Sequence, residues 1–159
     1  MTTGPERRSE HLVVRLCRAD DVAAITATEH PGARIAERLF TRQDRGESLF
    51  LTAWIDDAPV GHGEVVFAPL RELRSLHVSD THRGRGIGTA IIRAAEEASG
   101  EAGELSVGVG LDNADARRLY ERLGYSATGE VTTTTYLYVD ADGEHEATET
   151  DERLVKQLP

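Results

Sequence analysis

Apolar positions along this chain recur with two different periods, and the switches between them set out its elements. Residues 12–16 alternate enough for a short strand, and Asp20 stands as the N-cap of a helix running through Ile25. Pro31 and Gly32 interrupt the chain. Residues 33–45 place Ile35, Ala36, Leu39 and Phe40 at helical spacing, with Arg34, Glu37, Arg38 and Arg42 on the wet side, which predicts a second amphipathic helix. Strand-like runs at 49–55 and 59–67 flank Asp56-Asp57 as a hairpin, and 71–78 reads as a further strand. From 86 to 99 the period is helical, with Ile87, Ala90, Ile91, Ala94 and Ala95 on one face, and Gly100 and Gly103 stop it. A short buried strand follows at 105–109. Asp112-Asn113 caps a helix at 114–123 that Gly124 closes in the left-handed conformation. Residues 131–139 and a last segment around 154–158 read as strands joined through Asp140-Ala141-Asp142-Gly143. The order β-α-α-β-β-β-α-β-α-β-β predicts a mixed α/β (α+β) fold without internal repeats.

Composition narrows the picture. A chain of 159 residues has room for one domain, assigned to residues 11–159, with the polar residues 1–10 as a disordered tail. Hydrophobic residues make up 39% and charged residues 29%, and no stretch approaches the roughly 18 consecutive apolar residues of a membrane span. The first ten residues lack the apolar segment of a secretory signal, which points to the cytoplasm. The lone cysteine, Cys17, allows neither an internal disulfide nor a thiolate zinc cluster. No pair of the six histidines has H-x-x-x-H or H-E-x-x-H spacing, so no metal site is expected. The net charge of −10 argues against nucleic-acid binding, which depends on neutralising phosphates. Seven acids between Asp140 and Glu152, without one Lys or Arg, read as a solvated loop and edge, or as a guide for a cationic substrate.

The stretch richest in chemistry is a strand ending at Val78 followed by Arg83-Gly84-Arg85-Gly86-Ile87-Gly88 at the start of a helix. Glycines at alternate positions let backbone approach a ligand closely. Free N–H groups at the helix start favour anions, and Arg83 and Arg85 add charge. A plain strand-to-helix turn with solvated arginines is the simpler reading of the same residues. The dinucleotide fingerprint would need glycine where Thr89 stands, and a Walker loop would need G-K-[ST], so both fail.

Leu73-Arg74-Ser75-Leu76-His77-Val78 followed by Arg83-Gly84-Arg85-Gly86-Ile87-Gly88 resembles the acetyl-CoA-binding motif R/Q-x-x-G-x-G/A of the GNAT superfamily of N-acetyltransferases. Residues 112–125, with Asn113, Tyr120 and the closing Leu123-Gly124-Tyr125, resemble the family's second motif. The resemblance implies a mostly antiparallel central sheet flanked by helices, with acetyl-CoA as cosubstrate. It implies that the backbone of Leu76, His77 and Val78 pairs with the pantetheine arm. Arg83, Gly84, Arg85, Gly86, Ile87, Gly88 and Thr89 would hold the pyrophosphate, Asn113 would contact the cofactor arm, and Tyr120 would face the thioester sulfur as general acid. Asp80 and His82 depart from the family's frequent proline and tyrosine at those places.

The chemistry needs these groups on its own terms. An alkylamine titrating near ~10.4 must lose a proton, the oxyanion needs preorganised donors, and the departing thiolate needs an acid. Tyr120 also fits as a core aromatic beside Leu119, and Asn113 as a helix cap. Some relatives carry a glutamate on the strand before the second motif, but 105–110 here contains no acid, which leaves Glu64, Glu72 and His77 as candidate bases. Strict strand alternation puts Glu72 with Leu76 and Val78 on the core side and His77 opposite, unless a bulge intervenes. Trp54 and Phe50 read as core or interface packing, and nothing nominates Cys17 as a nucleophile. The expectation is direct acetyl transfer to an amine of a small molecule, amino acid, aminoglycoside-like compound or protein. A non-catalytic acyl-CoA-binding regulatory module is the alternative, and an exposed final strand would support a homodimer.

Overall fold

A computed structural model of the chain describes residues 11–159; the expected tail, residues 1–10, lies outside the described residues. Eleven principal elements follow in the predicted order: β1 (Leu12–Leu16), α1 (Val22–Thr26), α2 (Ile35–Asp44), β2 (Ser48–Ile55), β3 (Ala58–Val66), β4 (Glu72–Val78), α3 (Ile87–Ala98), β5 (Glu104–Gly110), α4 (Ala114–Arg122), β6 (Ser126–Asp140) and β7 (Gly143–Gln157). The seven strands form one sheet in the order β1-β2-β3-β4-β5-β7-β6, antiparallel throughout except between β4 and β5.

Helix α3 lies on one face because its buried residues Ile87, Ile91, Ile92 and Ala95 recur at helical spacing. Fully burying each isoleucine contributes about 1.5–3 kcal/mol. The sheet meets this helix with glycine: a Cβ at Gly63 would lie 3.0 Å from Ile91 and 3.1 Å from Leu73, so the helix seats directly on β3 backbone. Tyr120 of α4 joins this core beside Tyr125, Val107 and Leu154. The second face packs Ile25, Ala36 and Leu39 of α1 and α2 against Phe50, Trp54 and Cys17, so Phe50 and Trp54 are core as expected. Burial pushes the Cys17 thiol up to about 12, with Asp21 adding to the effect, so it is an inert packing group.

Three expectations are corrected. Asp21, not Asp20, closes the entrance to α1: its carboxylate accepts from the Arg18 amide at 2.7 Å and from Arg15 at 2.5 and 3.0 Å, and a 3₁₀ turn at Ala19–Asp21 precedes the helix. The acidic stretch after Asp140 is strand rather than loop, since β7 begins at Gly143 and pairs with β6 through registers such as Thr133 with Thr150 and Thr135 with Thr148. Threonine pairs and alternation with acids let a polar two-stranded ribbon form where apolar periodicity is absent. Consequently the final strand is internal, between β5 and β6, and β6 is the exposed edge.

Candidate active site

Strands β4 and β5 run parallel but pair only through Glu72 with Ser106 and Leu73 with Val107. The Ser106 amide and hydroxyl donate to the Arg71 carbonyl at 2.8 and 2.9 Å, pinning this end. Beyond Leu73 no ladder links the strands, so backbone at 75–78 is unpaired toward β5. A local cause is Ser75, whose φ of 54° makes a bulge: Arg74 stands opposite Glu64 and His77 opposite His62, one residue out of register. The bulge also moves Glu72 off the expected core side, while Leu76 and His77 keep the faces that alternation predicts. Leu73 and Leu76 both approach Gly63 on the α3 side, whereas Glu72 reaches Arg74 at 3.0 Å and the His77 ring lies 5.4 Å from that of His62 on the α2 side. Glu72 and His77 therefore share a face, and it is not the α3 face.

From the end of β4 the chain turns through Asp80–His82 into Arg83-Gly84-Arg85-Gly86 and α3. Gly84 and Gly86 have φ of 75° and 80°, and a Cβ on either would meet nothing within 4 Å. The turn is thus open space lined by backbone in a conformation that side chains resist. Gly86 offers no capping side chain, so among the described residues the first amides of α3 have no side-chain cap and are available to an anion. Arg83 holds Asp80 at 2.9 Å, both exposed.

At the other side of the opening, the Asn113 side chain accepts from the Ala116 amide at 3.1 Å and caps α4, whose C-terminal half carries Tyr120. Tyr120 is 8% exposed and meets Tyr125 edge-on at 5.6 Å, so the packing reading of its ring is correct. Burial pushes its phenol up to about 12, keeping the proton on oxygen at neutral pH.

A family model of the GNAT acetyltransferases matches residues 19–125. The chain belongs to the GNAT acetyltransferase family. Solved structures agree on the fold. The Escherichia coli ribosomal-protein-S18-alanine N-acetyltransferase matches with 18% identity, TM-score 0.67, covering 93% of this chain and 94% of that one. An N-acetyltransferase from Staphylococcus aureus Mu50 reaches TM-score 0.70 at 16% identity, over 94% and 99%. The putative acetyltransferase yncA of Salmonella typhimurium, solved with its cofactor acetyl-CoA, gives 0.64 at 20% identity, over 93% and 94%. Comparison of the sequence with curated proteins finds no match. As a GNAT enzyme the protein transfers acetyl groups, and the glycine turn, free α3 amides and unpaired β4 backbone suit acetyl-CoA in shape and in hydrogen-bonding capacity.

Beside the opening lies a cavity of about 1000 Å³, enclosed by the α1–α2 connection, the ends of β3 and β4, and Tyr136 to Val139 of β6. His77 and His62 both line it; Glu64 and Glu72 do not. Glu64 is buried and takes two hydrogen bonds of 2.8 Å from Arg42. His62 escaped the sequence reading. Its Nδ1 is buried without a hydrogen-bond partner, and burial, then the neighbouring His77, pushes its pKa down to about 4 despite a hydrogen bond with the Ser75 backbone. Alternation in Val60-Gly61-His62-Gly63-Glu64 was the available signal: it puts His62 on the face of Glu64, but only the bulged register brings it to His77. Among the described residues no group of acids, histidines and cysteine is arranged to hold a metal ion, and no helix is long and apolar enough to cross a membrane.

Proposed function

We propose that this GNAT enzyme transfers the acetyl group of acetyl-CoA to a primary amine by direct attack, within the cytoplasm. One observation carries the reading: a parallel ladder of two residue pairs that opens beside a glycine turn and an uncapped helix start. The Leu76, His77 and Val78 backbone is free to hydrogen-bond the pantetheine arm, and residues from Arg83 through Thr89 receive the pyrophosphate, with Asn113 at the arm's far side. Bound there, acetyl-CoA supplies an activated thioester. One β4 amide beside the opening stabilises the developing oxyanion, and Tyr120 gives its phenolic proton to the departing sulfur.

The acceptor enters from the cavity. An amine acceptor is supported by neighbours named as ribosomal-protein-alanine N-acetyltransferases, from Escherichia coli and Brucella melitensis. The candidate bases divide by their partners. Glu64 is occupied by Arg42 and Glu72 by Arg74, while His77 faces the cavity but stands beside a second imidazole. The test is thiol release from acetyl-CoA with spermidine, nourseothricin, free amino acids and a peptide with N-terminal alanine, each product checked by mass spectrometry. Acetylated amine and free CoA in equal amounts are expected from at least one acceptor class. Tight acetyl-CoA binding without turnover on any would favour a regulatory acyl-CoA module instead.

A further inference from the structure

We propose that Asp151, on β7, is the group that accepts the proton from the acceptor amine. The inference rests on the reading of the site as an amine N-acetyltransferase and adds a residue to it. Strand β7 pairs with β5 so that Asp151 stands opposite Gly110 and Arg153 opposite Gly108. Neither glycine has a side chain, and the Asp151 carboxyl lies over both. A Cβ at Gly108 would come within 3.5 Å of Oδ2, and one at Gly110 within 3.7 Å of Oδ1. These glycines belong to the part of β5 that β4 has left, which sets the carboxyl beside the splayed strands, at the edge of the opening and outside the residues that line the cavity.

Its face follows from its neighbours. Val109 is buried in the α3 core and its partner Glu152 pairs with Arg117 of α4, so Asp151, one residue before Glu152, points to the other side, the side of Glu72 and His77. The other buried or half-buried acids nearby are engaged: Glu64 by Arg42, Glu72 by Arg74, Glu152 by Arg117. Among the described residues the Asp151 carboxyl has neither a hydrogen bond nor an ion pair. The charged groups facing it are Glu149 of β7, Glu72 of β4 and Asp112 after β5, all acidic, while Arg153 is turned to Glu130. Burial first, then these three acids, raises its pKa above the ordinary carboxylate value. An unpaired carboxylate with heightened proton affinity in an acidic surround is suited to draw in an ammonium group and deprotonate it.

The step balances. An ammonium N–H bond breaks, its electron pair stays on nitrogen, and the proton forms an O–H bond on Asp151. The nitrogen pair then forms the C–N bond, the C–S bond breaks with its pair on sulfur, and the second nitrogen proton reaches sulfur through the Tyr120 hydroxyl. Asp151 returns its proton to water.

Two measurements test this. In the ligand-free protein, the carboxyl carbon of Asp151 followed by NMR should titrate above the ordinary carboxylate range, and Glu149→Gln should lower its midpoint. With whichever amine of the panel above the enzyme accepts, Asp151→Asn should lower kcat/KM at neutral pH by about 10²–10⁴. The parent should show an acid limb at the NMR midpoint and a plateau above it. The variant should instead rise about tenfold per pH unit toward the pKa of the amine, and Asp151→Glu should restore part of the rate and the plateau. Should Asp151→Asn fail to fold, as judged by circular dichroism, Asp151→Glu carries the kinetic test through a displaced acid limb. An ordinary Asp151 titration, or an unchanged pH profile in the variants, overturns the assignment. If no amine is acetylated by the parent enzyme, it is the functional reading that fails, and the NMR titration still decides the state of Asp151.

Discussion

The His62 and His77 rings face each other across the bulged β3–β4 register, 5.4 Å between centroids. His62 is the inner member and its pKa lies near 4 in the folded protein, whereas an unfolded histidine titrates near ~6.5. The unfolded chain therefore binds a proton across that window that the folded chain refuses. Stability present above about pH 6.5 should fall by up to about 3 kcal/mol as the pH drops to about 4, and the loss from this group should then level off. Urea unfolding of the parent and of His62→Gln across this range checks it: the variant should lack this component of the slope, and parallel slopes would disprove it.

Arg83 and Asp80 form an exposed ion pair beside the glycine turn, so an incoming pyrophosphate competes with Asp80 for the guanidinium. Arg83→Ala should weaken acetyl-CoA binding by about 1–3 kcal/mol, and less at high salt. Asp80→Asn should tighten binding. Calorimetry at two ionic strengths distinguishes these opposite signs from a common structural effect.

Gly86→Asp should abolish acetyl-CoA binding, because it forces a side chain into φ 80° and sets a carboxylate beside the free α3 amides. Gly88 differs: a Cβ there meets only Val78, at an ordinary 3.7 Å. Gly88→Ala should fold normally, while Gly88→Asp should lose affinity through charge. Unaltered affinity in both Asp variants would place the pyrophosphate elsewhere.

The Tyr120 ring is core, so Tyr120→Phe should leave the melting temperature nearly unchanged. If its phenol protonates the leaving sulfur, kcat should fall by about 10²–10⁴ with acetyl-CoA affinity retained. Turnover within a factor of two of the parent would leave water as the acid.

Arg42 is half exposed but its partner Glu64 is 1% exposed. Arg42→Ala strands a buried carboxylate and should cost roughly 3 kcal/mol of stability. Chemical denaturation measures it, and a cost below about 0.5 kcal/mol would mean that the pair is not structural.

Local pattern carried most of this fold. The helical spacing of Ile87, Ile91 and Ala95, the Asn113 cap and the Asp56-Asp57 turn each act over a few residues, and all appear where the spacing puts them. What escaped depends on register. The Ser75 bulge, which shifts the phase of β4 between Glu72 and Leu76, leaves no mark in composition, so alternation alone puts Glu72 on the wrong side and does not single out His62. The long β6–β7 ribbon was under-read because its strands alternate threonine and acid rather than apolar and polar residues. The position of Asp151 over Gly108 and Gly110 likewise follows only from cross-strand pairing.

The central claim is that acetyl-CoA lies against the unpaired stretch of β4 and the start of α3. Amide hydrogen exchange with and without acetyl-CoA addresses it directly. The N–H groups of Leu76 and Val78, which point away from β3, and those of Ile87, Gly88 and Thr89, should become protected on binding, while amides in the β1–β2 ladder stay unchanged. Protection confined to other segments, with these five amides exchanging as before, would contradict the account.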